Sequence, residues 1–227
     1  ICAVALGTQT MGAVIRPAAY CGVVGFKGSH GRIPTDGIVA YSRSADHVGF
    51  FAGDVAGART VAGCLLDDWD ERRCATTDVR LGVADPETIS GLEPAMARSL
   101  QAILDAAPGD TLQLERLDCP PGLDEVRRIH EALTSAEFAA EYLDLFAVWA
   151  SLLRPATVAM FDHGRTLGQD AIARGRESMH RFRARMHDWF DAAGIDALVF
   201  PAAPGPAPAG LAWTGDPSMN IPWTHAG

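Results

Sequence analysis

A short turn of small and hydroxyl-bearing residues is the part of this sequence best suited to chemistry. The turn is Gly7-Thr8-Gln9-Thr10-Met11-Gly12, and it follows the apolar run Ile1 to Leu6. The β-branched and small residues of this run favour a buried strand, while its periodicity alone is also compatible with a helix. Two glycines allow the backbone to approach a ligand closely and to direct successive N–H groups at one point. Because such groups stabilise negative charge that develops on an oxygen atom, the turn is a candidate oxyanion hole.

The residues around this turn form a pattern much longer than a single glycine motif. The segment from Gly7 to Lys27 reads GTQTMGAVIRPAAYCGVVGFK, and the pattern continues at Gly31–Pro34, Pro201–Pro204 and Asn220–Thr224. This sequence closely resembles the signature block of the amidase signature hydrolases, with family segments lacking at both ends. The resemblance implies an α/β fold of α/β/α layers around a mixed sheet, present here as a partial sheet flanked by helices. It also implies hydrolysis of carboxylic amides through an acyl-enzyme.

One residue departs from that pattern at the decisive position. The family has its nucleophilic serine directly after the glycine that corresponds to Gly12, and this sequence has Ala13 there. A methyl group cannot attack a carbonyl carbon, so we expect the chain as written to be inactive. The family's catalytic lysine and its serine preceded by a cis peptide bond belong to an upstream segment that this sequence does not contain. The backbone N–H groups of Thr10, Met11, Gly12 and Ala13 remain as the expected oxyanion hole.

Arg16 distinguishes two branches of the family. It stands three residues after the nucleophile position, which resembles the branch that reads GTQTxGSVIRP and favours a small-molecule amidase. The tRNA-dependent amidotransferase subunits have the arginine two residues after the serine. In the first branch an arginine here can hold a substrate carboxylate, which suits its planar guanidinium. Pairing of Arg16 with a structural carboxylate remains the alternative, and we also expect Gln9 to contact substrate.

Composition excludes several other classes of function. The chain has 227 residues, a formal net charge of −9 and 48% hydrophobic residues, which is ample for a sizeable core. An acidic balance argues against binding to nucleic acid or to an anionic membrane surface. No stretch is long and apolar enough to span a bilayer, and no leader pattern is present, so we expect a cytoplasmic protein.

Cysteine and histidine spacing gives no sign of a metal, cofactor or disulfide framework. The five cysteines are odd in number and contain no C-x-x-C pair, and the seven histidines form no H-E-x-x-H motif. We therefore predict neither a metal site nor a cofactor. The cysteines are Cys2, Cys21, Cys64, Cys74 and Cys119.

Hydrophobic periodicity divides the chain, which we interpret as one amidase signature domain fragment, into four parts. The parts are a signature core at 1–66, a βαβ unit at 79–117, a helical region at 123–193, and a final strand with a cleft loop at 196–227. The family resemblance places the helical region over the substrate cleft. The charged segment Asp67 to Asp78 separates the first two parts.

Within these parts the pattern predicts individual elements. The signature core has a strand at Tyr20 to Phe26, a polar loop at Gly37 to Gly49, and a helix at Asp54 to Leu66 whose apolar face contains Val55, Ala58, Val61, Ala62, Leu65 and Leu66. The βαβ unit has strands at Val79 to Ala84 and Thr111 to Leu117 around a helix that contains Leu92 to Leu104. Two long helices follow, roughly at Leu123 to Leu153 and Gly168 to Ala193, and the last strand is Asp196 to Phe200.

These features support three hypotheses. The favoured one is an amidase fragment, acting on a small-molecule amide, in which the nucleophile position is occupied by Ala13. The second is a catalytically dead binding subunit or pseudoenzyme that retains the amide and carboxylate pocket, and the third is a structural relic. Because a partial sheet leaves apolar edges, we expect them to be covered either by the family segments lacking here or by a partner, which is a second copy of the chain or a complementing chain.

Overall fold

Two three-stranded sheets and a long helical hairpin make up the computed structural model, which describes residues 2–67, 69–70, 79–106 and 113–227. The mixed α/β class predicted from the sequence is confirmed. The described strands form two small sheets rather than a single partial sheet.

The first sheet is antiparallel and carries the candidate turn. Its strands are β1 (Val4–Gln9), β2 (Val24–Lys27) and β3 (His47–Ala52), in the order β1-β3-β2. Helix α1 (Ile15–Cys21) connects β1 to β2, and helix α2 (Val55–Leu65) follows β3. The completely buried ring of Phe50 lies in the core between this sheet and α2.

Strand β1 differs from its prediction in length and in burial. It extends through Gly7, Thr8 and Gln9, which were predicted to be in the turn, because these residues pair with His47 to Gly49 of β3. The free turn is therefore shorter and lies between Gln9 and Ile15. The strand is also not buried, since the side chain of Leu6 is 66% exposed on a strand whose only described neighbour is β3.

Two other elements of the signature core differ from their predictions. The predicted strand at Tyr20 to Phe26 begins only at Val24, because Tyr20 and Cys21 belong to α1 and Gly22 ends that helix with φ 65°. The sequence also missed β3, whose first residues had been assigned to the polar loop.

Helix α2 agrees with its prediction in most respects. The carboxylate of Asp54 caps it by accepting the N–H of Gly57 at 2.7 Å. Ala58, Ala62 and Leu66 are buried as expected, whereas Val55 is exposed.

The second sheet confirms the predicted βαβ unit. Strand β4 (Arg80–Ala84), helix α3 (Pro94–Ala106) and strand β5 (Gln113–Leu117) follow in order, and the two strands are parallel. Strand β6 (Ala197–Val199) pairs parallel to the other side of β4. Thr111, Cys74 and most of the charged segment lie outside the described residues.

The helical region consists mainly of α4 (Leu123–Glu141), α5 (Leu143–Trp149) and α6 (Pro155–Ala193). The predicted start of the second helix at Gly168 corresponds to a kink, where φ is 66° and ψ is −173°, and a helical segment at 155–167 precedes it. Helices α4 and α6 pack closely, since a Cβ atom added at Gly175 would lie 2.5 Å from the Cβ of Leu133.

A short last helix, α7 (Ile221–Ala226), packs against both α4 and α6. Its Thr224 and His225 side chains are completely buried. Among the described helices, none is both long and apolar enough to cross a membrane.

Candidate active site

The buried side chain of Gln9 forms hydrogen bonds on both sides of the candidate turn. Its amide oxygen accepts the N–H groups of Val14 and Ile15, each at 3.0 Å, so it supplies the capping interaction at the start of α1. Its amide nitrogen donates to the hydroxyl of Thr224 at 3.0 Å. Gln9 is only 1% exposed. This geometry favours a positioning role for Gln9, while its contact with substrate remains a prediction.

Three successive carbonyl groups of the turn are bound by other parts of the protein. The carbonyl of Thr10 lies 2.8 Å from Nε2 of His130, the carbonyl of Met11 accepts the hydroxyl of Thr224 at 3.0 Å, and the carbonyl of Gly12 accepts the N–H of Arg16 at 3.2 Å. In a planar trans peptide the N–H of the next residue is directed away from the carbonyl. Each of these carbonyls points towards the group that binds it, so the N–H of the following residue points away from that group.

The N–H groups that follow these carbonyls belong to Met11, Gly12 and Ala13. Within the described residues, none of the three donates to a protein acceptor. Buried or half-buried backbone donors are normally paired, so three adjacent free donors on one turn are available to a ligand oxygen. The side chain of Ala13 is exposed at this turn.

Gly12 is needed where the turn meets the last helix. A Cβ atom at this position would lie 3.1 Å from the Cβ and Nδ2 atoms of Asn220, a closer approach than most side chains tolerate. Asn220 itself is 3% exposed and donates to the carbonyl of Ala202 at 2.7 Å. The loop after β6 is thereby fastened behind the turn.

Asp46 connects the turn to the loop before β3. It accepts the hydroxyl of Thr10 at 2.5 Å with one carboxylate oxygen. Its other oxygen accepts the N–H groups of Tyr41 and Ser42, at 2.8 and 3.0 Å. Short acids in loops commonly bind nearby backbone N–H groups in this way.

Glu137 of α4 fastens the same loop to the helical region. It accepts the hydroxyls of Ser42 and Ser44, each at 2.6 Å, and forms an ion pair with Arg176 of α6 at 2.6 Å. Burial alone would raise the pKa of this carboxyl group, but the hydrogen bonds from the serines and Arg176 outweigh burial and lower the pKa. Glu137 is therefore a buried, charged anchor.

Arg16 is a buried cation without a matching carboxylate. It is 9% exposed, and its Nη2 donates only a long hydrogen bond of 3.3 Å to the hydroxyl of Thr214. Among the described residues its buried Nε has no hydrogen-bond partner, and no carboxylate forms an ion pair with it. Burial lowers the pKa of Arg16, and nearby Tyr20 and Asp216 only partly offset this effect. The alternative of a structural ion pair therefore finds no partner in the described part of the chain.

The sequence pattern pointed to the turn and to Arg16, but it did not reveal the residues that bind the turn and the neighbouring loop. Thr224 lies in the Asn220–Thr224 segment, so its motif was a usable signal, whereas nothing in the local pattern indicated His130 or Glu137. Among the described residues no group of three His, Cys, Asp or Glu side chains could hold a metal ion.

Comparison with known proteins places this geometry in context. A model of the Amidase family matches residues 1–223. An indoleacetamide hydrolase from Allorhizobium ampelinum is 28% identical over 229 residues, covering 92% of this chain and 48% of that protein. A glutamyl-tRNA(Gln) amidotransferase subunit from Acidobacterium capsulatum is 26% identical, covering 89% of this chain and 50% of that protein.

A solved structure has the same fold. It belongs to a vestigial protein complex that reveals the evolutionary origins of an s-triazine catabolic enzyme, and it has a TM-score of 0.82 at 23% identity over 99% of this chain and 53% of that chain. This chain thus spans about half the length of the proteins that it matches over most of its own length.

Proposed function

The chain belongs to the amidase family, and from this premise we propose that it supplies the oxyanion hole and the carboxylate-binding group of an amide hydrolase. In this proposal Ala13 occupies the nucleophile position, the N–H groups of Met11, Gly12 and Ala13 face the substrate oxygen, and Arg16 binds a substrate carboxylate. The chain as written would bind an amide without forming an acyl-enzyme, because Ala13 has no nucleophilic atom.

The observation that carries this proposal is the direction of the turn peptides. The carbonyls of Thr10, Met11 and Gly12 are all bound by the protein, and the N–H groups that follow them have no acceptor among the described residues. N–H groups preorganised in this way stabilise the oxyanion of a tetrahedral intermediate, typically by about 3–4 kcal/mol for one donor. The backbone N–H of Thr10, also predicted to take part, remains part of the proposal.

The substrate that we propose is a small amide that also bears a carboxylate. Arg16 supports this choice, because its buried Nε lacks an acceptor in the part of the chain that the structure describes, and a carboxylate can bind a guanidinium through two parallel hydrogen bonds. Similarity to an indoleacetamide hydrolase supports a small-molecule amide as the reacting group. Similarity to one subunit of an amidotransferase is the reason to keep a partner chain in the proposal, beside a second copy of this chain.

Restoring the nucleophile tests the proposal. We would introduce Ala13→Ser into the full-length source polypeptide and measure ammonia or amine release from a panel of small amides. Since loss of a nucleophile alone can cost about 10⁶ in kcat, the expected gain is several orders of magnitude. Ala19→Ser, an exposed position six residues further along α1, is the matched control and should change nothing. Absence of any gain in folded Ala13→Ser protein would count against an amidase.

A binding protein is the second candidate, and it is favoured by Ala13 together with Arg16, which forms no ion pair with a described carboxylate. It predicts calorimetrically measurable binding of a dicarboxylic acid monoamide such as succinamate to the unaltered protein. Arg16→Ala should abolish binding, and Arg16→Lys should weaken it, because lysine keeps the charge but loses the planar donor pair. Arg181→Ala is the control, since Arg181 is exposed on α6. Binding without turnover after Ala13→Ser would select this candidate over the hydrolase.

A further inference from the structure

A chain of three buried side chains leads away from the turn and ends on the longest helix. His130 of α4 is completely buried, with Nε2 2.8 Å from the carbonyl of Thr10 and Nδ1 3.2 Å from Nδ1 of His225. His225 of α7 is also completely buried, and its Nε2 lies 3.0 Å from the hydroxyl of Ser178 on α6. The two imidazole rings meet edge to face, with centroids 5.3 Å apart.

The Thr10 carbonyl determines where the protons of these hydrogen-bonded side chains lie. A carbonyl oxygen can only accept, so His130 must carry its proton on Nε2. Burial lowers the pKa of His130 to about 4 and that of His225 to about 3, so both rings are neutral at pH 7. Neutral His130 then has a lone pair on Nδ1, which accepts the Nδ1 proton of His225. Nε2 of His225 then faces Ser178, whose hydroxyl can either donate or accept.

The contact between the two imidazole rings completes this assignment. If both rings carried Nε2 protons, two lone pairs would face each other across 3.2 Å, and the contact would be repulsive. The two histidines must therefore hold opposite tautomers. Their donor and acceptor order runs from His225 through His130 to the Thr10 carbonyl.

We propose that His130, supported by His225 and Ser178, is a positioning residue that sets the direction of the peptide between Thr10 and Met11. The reason is that a donor fixed on the Thr10 carbonyl keeps the Met11 N–H on the opposite side of the peptide plane. Without this donor the peptide can rotate about ψ of Thr10 and φ of Met11, because no other group in the described part of the protein donates to the Thr10 carbonyl. A rotated peptide would present a carbonyl oxygen where the proposed site needs a donor. This inference rests on the proposed function only in assigning the Met11 N–H to the substrate oxygen. The hydrogen bonds among Ser178, His225, His130 and the Thr10 carbonyl do not depend on turnover.

The test uses long-range ¹⁵N–¹H correlation spectra of the imidazole rings in the unaltered protein at pH 7. The expected result is one ring in the Nε2–H form, assigned to His130, and one in the Nδ1–H form, assigned to His225. Assignment uses the loss of each signal in His130→Gln and in His225→Gln. Equal tautomers in the two rings, or a doubly protonated ring, would overturn the proposal.

A backbone measurement then separates positioning from simple packing. His130→Leu replaces the imidazole with an apolar side chain and so removes the donor. The carbonyl ¹³C signal of Thr10 should then move upfield, and the Met11 amide signal should broaden or split. His130→Gln can still donate to the same carbonyl and should restore both signals, whereas His180→Leu on the exposed face of α6 should leave them unchanged. Failure of glutamine to restore signals lost in a folded His130→Leu protein would overturn the positioning role. Because no step requires catalysis, this outcome is distinct from failure of Ala13→Ser to gain activity.

Discussion

Removing the side chain of Gln9 is the most direct test of how the turn is held. In Gln9→Ala the N–H groups of Val14 and Ile15 lose the acceptor that lies 3.0 Å from each of them, and the hydroxyl of Thr224 loses a donor. A buried donor left without a partner costs about 1–3 kcal/mol, so two such N–H groups, one of them half-buried, predict a loss of about 2–5 kcal/mol in the free energy of unfolding. That loss is a large part of the total stability of an ordinary domain.

Urea unfolding at pH 7 measures this loss, with Gln101→Ala as the control. Gln101 donates to Asp105 one turn away on the exposed surface of α3, and its removal should cost at most about 0.5 kcal/mol. A loss below about 1 kcal/mol in Gln9→Ala would refute the positioning argument. If such a stable variant also failed to bind succinamate, Gln9 would be a substrate contact, as the sequence predicted.

Three further predictions concern the anchors around the site. Glu137→Gln should lower the free energy of unfolding by about 1–3 kcal/mol at pH 7, because it breaks a partly exposed ion pair and places an amide against serine donors. Since the folded pKa of Glu137 lies below its ordinary value of 4.5, this deficit should shrink as the pH falls below about 4 in urea titrations. Gly175→Ala should cost about 1–3 kcal/mol in thermal unfolding by pushing α6 against Leu133, whereas Gly63→Ala, in ordinary contact range on α2, should be neutral or slightly stabilising. Finally, three buried histidines have folded pKa values of about 3 to 4, below their ordinary 6.5. Their contribution to stability is therefore complete above pH 6.5 and is lost as the pH falls towards 4. Over this range the free energy of unfolding should change with pH at a slope approaching three protons. They are His47, His130 and His225, and a flat profile between pH 6.5 and 4 would contradict their burial in neutral form.

Local patterns were sufficient to predict the elements whose signals lie within a few residues. The βαβ unit from Arg80 to Leu117 has apolar strands around a periodic helix, and Asp54 stands where a capping residue is needed before α2. Strand β3 was missed because its HVGFFA sequence follows a polar loop and contains a glycine, while its strand character depends on pairing with β1 and β2. Pairing partners are tertiary information, and a short segment does not encode them.

The site was predictable only in part for a related reason. Gln9 and Arg16 stand inside a recognisable motif, so their positions were evident, but the motif does not reveal that the Gln9 amide is turned inwards. The contacts that orient the turn come from His130 and Thr224, which are separated by 120 and 213 residues from the carbonyls they bind. No periodicity or spacing rule connects residues that are so far apart in the chain.

The signature motif contains both the nucleophile position and the turn that binds the substrate oxygen in our proposal, but different groups determine the two. In the proposed site the nucleophile depends on one side chain, which Ala13 lacks, whereas the proposed oxyanion hole depends on which way three peptide groups face. Those peptides are held by α1, α4 and α7 through the Gly12, Thr10 and Met11 carbonyls, and none of these bonds involves the side chain of Ala13. The loss of a nucleophile therefore need not disturb the binding geometry. For the same reason Ala13→Ser would add a hydroxyl to donors that are already in place, which is the physical basis for expecting a gain from a single substitution.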